Sequence, residues 1–293
     1  MTDGIILLDK APGQTSFQSL GELKRRLGTT RVGHTGTLDR FAEGLLVVLA
    51  GRMTRLCPYA TSMDKEYVAE VTFGRGTDTL DPEGETTVEG RVPDRAEIEA
   101  ALPGFRGEML QVPPAFSAIH VGGRRAYDAA RRGEDVALAP RAVTVAALDL
   151  LDWRPPVATL RVSCSKGTYI RSLARDIAAR IGTCAFVSGL RRTRVGGFRV
   201  EDAHPADSFD PTIDLLPPAA FFDAAPGLGR LTVVPDCVGQ VANGAALSPR
   251  CFREEPGEGT WGAFAPDGDL LAVVESAGGR LRYAAAFPPE TAK

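Results

Sequence analysis

The sequence predicts an α+β chain, a mixed sheet domain with flanking helices followed by a small β-barrel. Three observations carry that prediction. Tyr67, Ala69, Val71 and Phe73 alternate with Val68, Glu70 and Thr72, the period of two expected of a half-buried strand. Segments of helical period with their own start and stop residues lie between such runs, above all Tyr169 to Ile181 with Gly182 behind it. Beyond about Pro205 the composition turns Pro-rich and acidic, and from about Arg230 short strands are separated by Gly, Pro and Asp turns.

The elements follow in order. GIILLDK, with Pro12 and Gly13 behind it, reads as a strand and turn. Ser16 is expected to cap an amphipathic helix carrying Phe17, Leu20, Leu23 and Leu27, which Gly28 ends. Residues 29–43 have loop composition, and an apolar strand from Leu45 to Leu49 follows directly. After the Tyr67 to Phe73 strand comes a turn-rich loop from Asp78 to Glu89, and Asp94 with Glu97 forms a capping box for a helix ending near Leu102. The segment from Gln111 to Val145 reads as an excursion from the core, with an Arg-rich helix around Ala126 to Arg132 and a break at Pro140.

Two strands, about Val143 to Trp153 and Val157 to Cys164, precede the Tyr169 to Ile181 helix, and a strand from Ala185 to Val195 leads out. LLPP at 215–218 is a linker signal, and LTVV, GTWGAF, LLAVVE and RLRYAAAF supply the barrel. The expected boundaries are 1–205 for the first domain, with an insertion at about 119–145, then a linker over 206–229 and the barrel over 230–290.

Bulk properties narrow the function. The longest apolar stretch, Leu45 to Ala50, falls far short of the ~20 residues that span a bilayer, and MTDGIILLDK lacks a signal peptide's basic start, so a cytoplasmic protein is expected. Cys57, Cys164, Cys184, Cys237 and Cys251 are scattered and form no CxxC pair, and His34, His120 and His204 are dispersed, so neither a disulfide framework nor a metal site is indicated. The formal net charge of -3 argues weakly against a nucleic-acid partner. The distribution argues the other way. From Arg161 to Arg199 nine basic residues face the single acid Asp176, Lys24 to Arg31 and Arg124 to Arg132 hold further basic clusters, and the compensating acids sit in the tail. Such segregation points to a polyanion on one side of the molecule.

Two positions stand out chemically. In GHTGTLDRFAEG, Asp39 follows two glycines and precedes the apolar strand, which suits either a turn cap or a carboxylate at a cleft edge. In CSKGTYIRSLARD, Arg171 falls in the first turn of a helix, where a cation opposes the helix dipole at a cost of about 0.3–1 kcal/mol. A carboxylate partner would offset that cost.

GHTGTLD followed by AEGLL, DKEY and SKGTYIR, in this order, resembles the TruB family of pseudouridine synthases. LLDKAPGQTSFQSL resembles that family's N-terminal motif, GTDTLD its acidic turn, QVPPAFSAIHVGGRRAYDAARRG its RNA-gripping insertion and GLRRTRVGGF its closing strand. RLTVVPDCVGQVANGAALSP and PDGDLLAVVE look like a PUA domain, a small RNA-binding barrel. The proline that follows the family's catalytic Asp is replaced here by Arg40.

The resemblance implies a mainly antiparallel catalytic sheet that isomerises a uridine, uridine 55 in the T-loop of tRNA, to pseudouridine by base flipping, with no cofactor and no metal. It implies that Asp39 is the nucleophile, at the ribose or the uracil ring, or the base of a glycal route. Arg171 would pair with it; Tyr67 would stack on the flipped base and shuttle a proton; Tyr169 and Leu190 would line the pocket; His34 would fill the gap left in the RNA. Lys10 and Pro12 read as structural support. The partner implied is the tRNA T-stem-loop, bound by a monomer with no membrane or protein partner. The rival readings are a guide-RNA-dependent, dyskerin-like synthase, a non-catalytic RNA-binding or RNA-folding protein, and a nucleoside hydrolase.

Overall fold

The computed structural model describes residues 3–117, 120–121, 124–125 and 138–288. In chain order the strands of its first half are β1 (Gly4–Lys10), β2 (Val32–His34), β3 (Glu43–Ala50), β4 (Lys65–Phe73), β5 (Arg75–Thr77), β6 (Thr86–Glu89), β7 (Gly107–Gln111), β8 (His120–Val121) and β9 (Arg124–Arg125). Those of its second half are β10 (Arg141–Arg154), β11 (Val157–Cys164), β12 (Ala185–Val195), β13 (Phe198–Arg199), β14 (Leu228–Thr232), β15 (Gly259–Phe264), β16 (Leu270–Ala277) and β17 (Arg280–Ala286). The helices are α1 (Leu20–Leu27), α2 (Cys57–Ser62), α3 (Arg95–Ala101), α4 (Ile170–Ile181), α5 (Pro218–Ala224) and α6 (Val238–Ala242).

One nine-stranded sheet organises the chain, in the order β1-β3-β12-β4-β11-β10-β7, with β2 on β3 and β13 on β12. Every pair in it is antiparallel except β12 with β3. Its strands are long where the apolar alternation is long: all nine residues from Lys65 to Phe73 are strand, and the expected Ala185 to Val195 strand forms with those ends. β10 to β11 is a hairpin, and β4 lies between β11 and β12.

The amphipathic helix α4 packs Ile170, Leu173, Ala174, Ile177 and Ala178 against Val71, Phe73, Leu160 and Val162 of the sheet. That spacing is one helical face, and burying each large side chain is worth about 1.5–3 kcal/mol. Gly182, at φ 78°, ends the helix in the left-handed conformation that glycine adopts without strain. Further along, α1 buries Leu20, Leu23 and Leu27 against Ile6, Leu8, Leu46 and Val48 of β1 and β3. The capping box of Asp94 and Glu97 is present at α3, with both of its hydrogen bonds.

The Ser16 expectation is corrected. α1 begins at Leu20, Ser19 precedes it without a side-chain cap, and Phe17 lies outside the helix with 70% of its surface exposed. Ser16 does not cap because its hydroxyl is engaged elsewhere: it accepts from the Leu38 N–H at 2.9 Å and donates to the Leu38 carbonyl at 3.0 Å. The loop expected over 29–43 contains the short strand β2, and the Asp78 to Glu89 loop closes on β6, which pairs with β5.

The expected insertion at about 119–145 lies largely outside the described residues, including the predicted Ala126 to Arg132 helix with Arg131 and Arg132 of its basic cluster. His204 bridges Leu8 of β1, and in the 206–229 stretch, expected as a linker, Leu216 bridges Ile5, Phe209 packs under α1, and Phe221 and Phe222 of α5 enter a core with Ile5, Leu7 and Met53. The C-terminal strands form a four-stranded sheet, β14-β15-β16-β17, whose Phe264, Leu270 and Val273 join the same core. Arg52 ties this end down by donating to the Phe287 and Pro288 carbonyls at 3.1 and 2.9 Å. No helix among the described residues is long and apolar enough to cross a membrane.

Candidate active site

The loop between β2 and β3 carries Asp39, and side chains from outside hold its backbone. Lys10, 1% exposed at the end of β1, donates its ammonium to the carbonyls of Ala11 at 2.9 Å, Arg40 at 3.4 Å and Ala42 at 2.5 Å. Burial lowers its pKa to about 8, against the opposing charges of Asp39 and Glu43. Ser16 grips Leu38 from the other side, and the Gly13 N–H donates to the Arg40 carbonyl at 2.8 Å. The residue before Asp39 and the one after it are therefore both fixed to the β1-α1 connection.

Arg171 reaches Asp39 from α4. Its Nη2 donates to Oδ1 at 3.1 Å and its Nε lies 2.9 Å from Oδ2, an ion pair of two contacts in which Nη2 supplies the hydrogen bond. The guanidinium is 4% exposed and its remaining donors are occupied: Nη1 donates to the Thr79 carbonyl at 2.8 Å and to Asp81 Oδ2 at 3.0 Å, and Nη2 to the Phe116 carbonyl at 3.0 Å. The two carboxylates on it differ in one decisive respect. The Asp39 side chain is 37% exposed, the Asp81 side chain 7%, so Asp39 opens toward solvent and Asp81 faces inward. Burial pushes the Asp39 carboxyl above the usual carboxylate range; Arg171 opposes that shift and the Asp81 charge adds to it.

Around this pair stand the expected aromatic residues. Tyr67 on β4 is half-buried against the cluster that includes Leu38 and Leu190. Burial raises its pKa, Arg192 opposes the shift, and the charge of Asp39 is near enough to add to it. Tyr169 precedes α4, where the buried amide of Gln111 clamps its backbone, accepting from its N–H at 2.8 Å and donating to its carbonyl at 3.1 Å. Burial and the Asp39 charge also raise the Tyr169 phenol. Leu190, 8% exposed, belongs to the apolar bed beneath Tyr67.

His34 stands apart at the end of β2. Its Nδ1 is buried without a hydrogen-bond partner among the described residues, and burial, then Arg192, lowers its pKa. The structure thus gathers Arg171, Tyr67, Tyr169 and Leu190 around Asp39, with His34 on the strand that leads into the loop.

Three residues of this arrangement had no assigned role in the sequence reading: Asp81, Gln111 and Arg192. The acidic turn GTDTLD was visible, yet which of its acids turns inward depends on Thr79, whose hydroxyl donates to Asp81 Oδ1 at 2.6 Å, and on the Glu83 N–H, which donates to the same atom at 3.0 Å. Among the described residues no group of three or more His, Cys, Asp or Glu side chains is placed to hold a metal ion.

Residues 24–170 match the model of the TruB family pseudouridylate synthase N-terminal domain. The chain is 48% identical over 206 residues to tRNA pseudouridine synthase B of Borreliella burgdorferi (strain ZS7), covering 69% of this chain and 73% of that one. It is 39% identical over 303 aligned positions to tRNA pseudouridine synthase B of Leifsonia xyli subsp. xyli, covering 98% of this chain and 97% of that one. The archaeal box H/ACA sRNP Nop10-Cbf5 complex holds a chain of the same fold, with a TM-score of 0.72 at 24% identity over 98% of this chain and 87% of that chain.

Proposed function

The chain belongs to the TruB family of pseudouridylate synthases, and on that premise we propose that Asp39 is the carboxylate on which its isomerisation of tRNA uridine to pseudouridine turns. The reaction breaks the N1–C1′ bond, joins C1′ to C5, and moves a proton from C5 while N1 regains one. Nothing is added or lost, so what the protein has to supply is a carboxylate, a dry pocket and an aimed geometry. The observation that carries the reading is the two-contact ion pair of buried Arg171 with the solvent-facing Asp39.

Each side chain then has a task. RNA seated over the site strips water from Asp39, which by itself favours the protonated form; Arg171 keeps the carboxylate ionised and pointed at the sugar or ring. The flipped uracil lies on Tyr67 above Leu190, with Tyr169 beside it, and His34 enters the space left in the RNA. On this reading Tyr67, whose phenol burial keeps protonated, relays the C5 proton.

The substrate we propose is uridine 55 in the T-loop, converted without a guide RNA by a monomer, with residues 1–205 as the catalytic domain and a PUA-like RNA-binding domain over 230–290. The near full-length alignment with the Leifsonia relative supports a tRNA substrate for the whole chain. The test is tritium release from a T-stem-loop labelled at C5. Wild type is expected to release tritium at uridine 55 without guide RNA, and Asp39→Asn to release none. Turnover by Asp39→Asn, or a strict guide requirement, would overturn the assignment.

A further inference from the structure

We propose that Arg192 is a positioning residue for this reaction, a buried guanidinium that clasps the two ends of the loop carrying Asp39. The inference rests on the reading of Asp39 given above. Arg192 is 2% exposed and has no carboxylate within ion-pair distance among the described residues, unlike Arg171 and Arg191 on either side of the site. A buried cation without a counter-ion is costly, so its placement calls for a specific task.

The sheet shows what that task is. β3 pairs with β12 only at Glu43 and Gly44, and with β2 only from Val48 to Ala50. Between those two pairings the edge of β3 is interrupted, and the Asp39 loop arches over the interruption. Two carbonyls there would be left without partners inside the protein. Thr35 takes one, donating its N–H and hydroxyl to the Val47 carbonyl at 3.0 and 3.1 Å. Arg192 takes the other, donating Nε to the Leu45 carbonyl at 2.7 Å, and with Nη2 it reaches the Gly36 carbonyl at 3.1 Å. Gly36 precedes Asp39 and Leu45 follows it, so one rigid fork spans the base of the loop. A lysine ammonium can donate to several carbonyls, as Lys10 does, but it is a compact charge on a flexible stem and lacks the planar fork that holds both acceptors at fixed angles.

The backbone fixes where the fork starts. At Gly44, φ 96°, an added Cβ would meet the Arg192 carbonyl oxygen at 2.5 Å and its nitrogen at 2.9 Å, so β12 approaches β3 closely at Arg192 itself. The charge has a second consequence. Asp39 and Asp81 are balanced by Arg171 and Lys10, and Arg192 adds to that balance a positive charge whose influence reaches Tyr67, His34 and Lys10. A site that must tolerate negative charge on a departing uracil is better served by that balance.

The experiment compares full-length wild type, Arg192→Met, Arg192→Lys and Asp39→Asn on an unmodified T-stem-loop RNA. It measures single-turnover pseudouridine formation, RNA affinity and amide hydrogen exchange. Arg192→Met is expected to slow turnover by about 100-fold, the scale of a misplaced reacting group, while RNA affinity stays within about threefold. Exchange over residues 36–45 should rise while β10 and β11 stay protected, and Arg192→Lys should recover about tenfold of the lost rate. Turnover of Arg192→Met within about threefold of wild type, or unchanged exchange over 36–45, overturns the proposal. If Arg192→Met does not fold, Arg192→Lys carries both readings, and wild-type rate and exchange in it overturn the proposal equally. Absence of product from wild type, or product from Asp39→Asn, counts instead against the reading of the site, and the exchange comparison then still decides whether Arg192 clasps the loop.

Discussion

Asp81 holds Arg171 from the side opposite Asp39, its Oδ2 3.0 Å from Nη1, so that one buried guanidinium bridges a carboxylate open to solvent and a carboxylate facing the core. Removing the inner charge leaves Arg171 free to settle on Asp39 alone, or to shift with the acidic turn. Asp81→Asn is expected to lower single-turnover pseudouridine formation by about 10- to 100-fold with RNA affinity little changed, because the geometry of Asp39 is disturbed and the RNA surface is not. It should also destabilise the fold by about 3 kcal/mol, the cost of breaking a buried pair. Equal rates for Asp81→Asn and wild type would show that Asp39 needs no support from behind.

Arg171→Lys keeps the charge and loses the fork. The present contacts use Nε, Nη1 and Nη2 toward two carboxylates and two carbonyls, which one ammonium cannot reproduce. Turnover is expected to fall by about 100-fold, far more than a charge-only role would give. Steady-state kinetics with a T-stem-loop substrate measure this directly, and a loss confined to KM would contradict it.

The pH dependence has a defined sign. The Asp39 pKa is raised in the folded chain, so the catalytic carboxylate is lost as pH falls through a value above the usual one for Asp, and the rate should decline from that higher pH downward. For stability the sign is opposite: a raised acid pKa favours the folded state on the acid side, and that contribution disappears as pH rises through the folded value. Asp39→Asn is therefore expected to be inactive and at least as stable as wild type at neutral pH, as thermal melting will show. At the alkaline end Lys10, at about 8, loses its proton and its hold on the Arg40 and Ala42 carbonyls weakens. Single-turnover rates should fall above pH 8 in wild type.

Ser16→Ala removes both bonds to Leu38 and leaves a buried N–H without a partner, expected to cost about 1–3 kcal/mol and to slow turnover through the Asp39 loop. Arg40→Ala makes the contrast. Arg40 stands where the family has proline, and its Nε donates to the Gly13 carbonyl at 2.9 Å, with Glu83 3.8 Å away, all at the exposed surface. Its loss is expected to cost under about 1 kcal/mol and to leave turnover within about threefold. Denaturant melts and single-turnover rates on the two variants separate the buried tether from the exposed one.

Much of this was legible in the chain. The period-two run at Tyr67 to Phe73, the capping box at Asp94 and the left-handed glycine after Ile181 are local signals, decided within a few residues by sterics and hydrogen bonding. Arg171 was legible through a local fault, a cation in a helix's first turn, which asks for a distant carboxylate. Ser16 shows where local reasoning stops. A hydroxyl ahead of a helix is a cap by default, and here the Leu38 backbone, 22 residues away, competes for it and wins.

The sequence by itself determined the long strands, the helix after Tyr169, the position of Asp39 in a loop just before a long apolar strand, and the need of Arg171 for a partner, because each depends on neighbours in the chain. Only the tertiary structure decided that Arg171 serves two carboxylates, that Asp81 is the inner one, and that Arg192 closes the base of the catalytic loop. Those contacts join residues 90 or more positions apart. No local pattern encodes which of several acids or arginines turns inward, since that choice is made by the unpaired carbonyls and charges the folded sheet leaves to be satisfied.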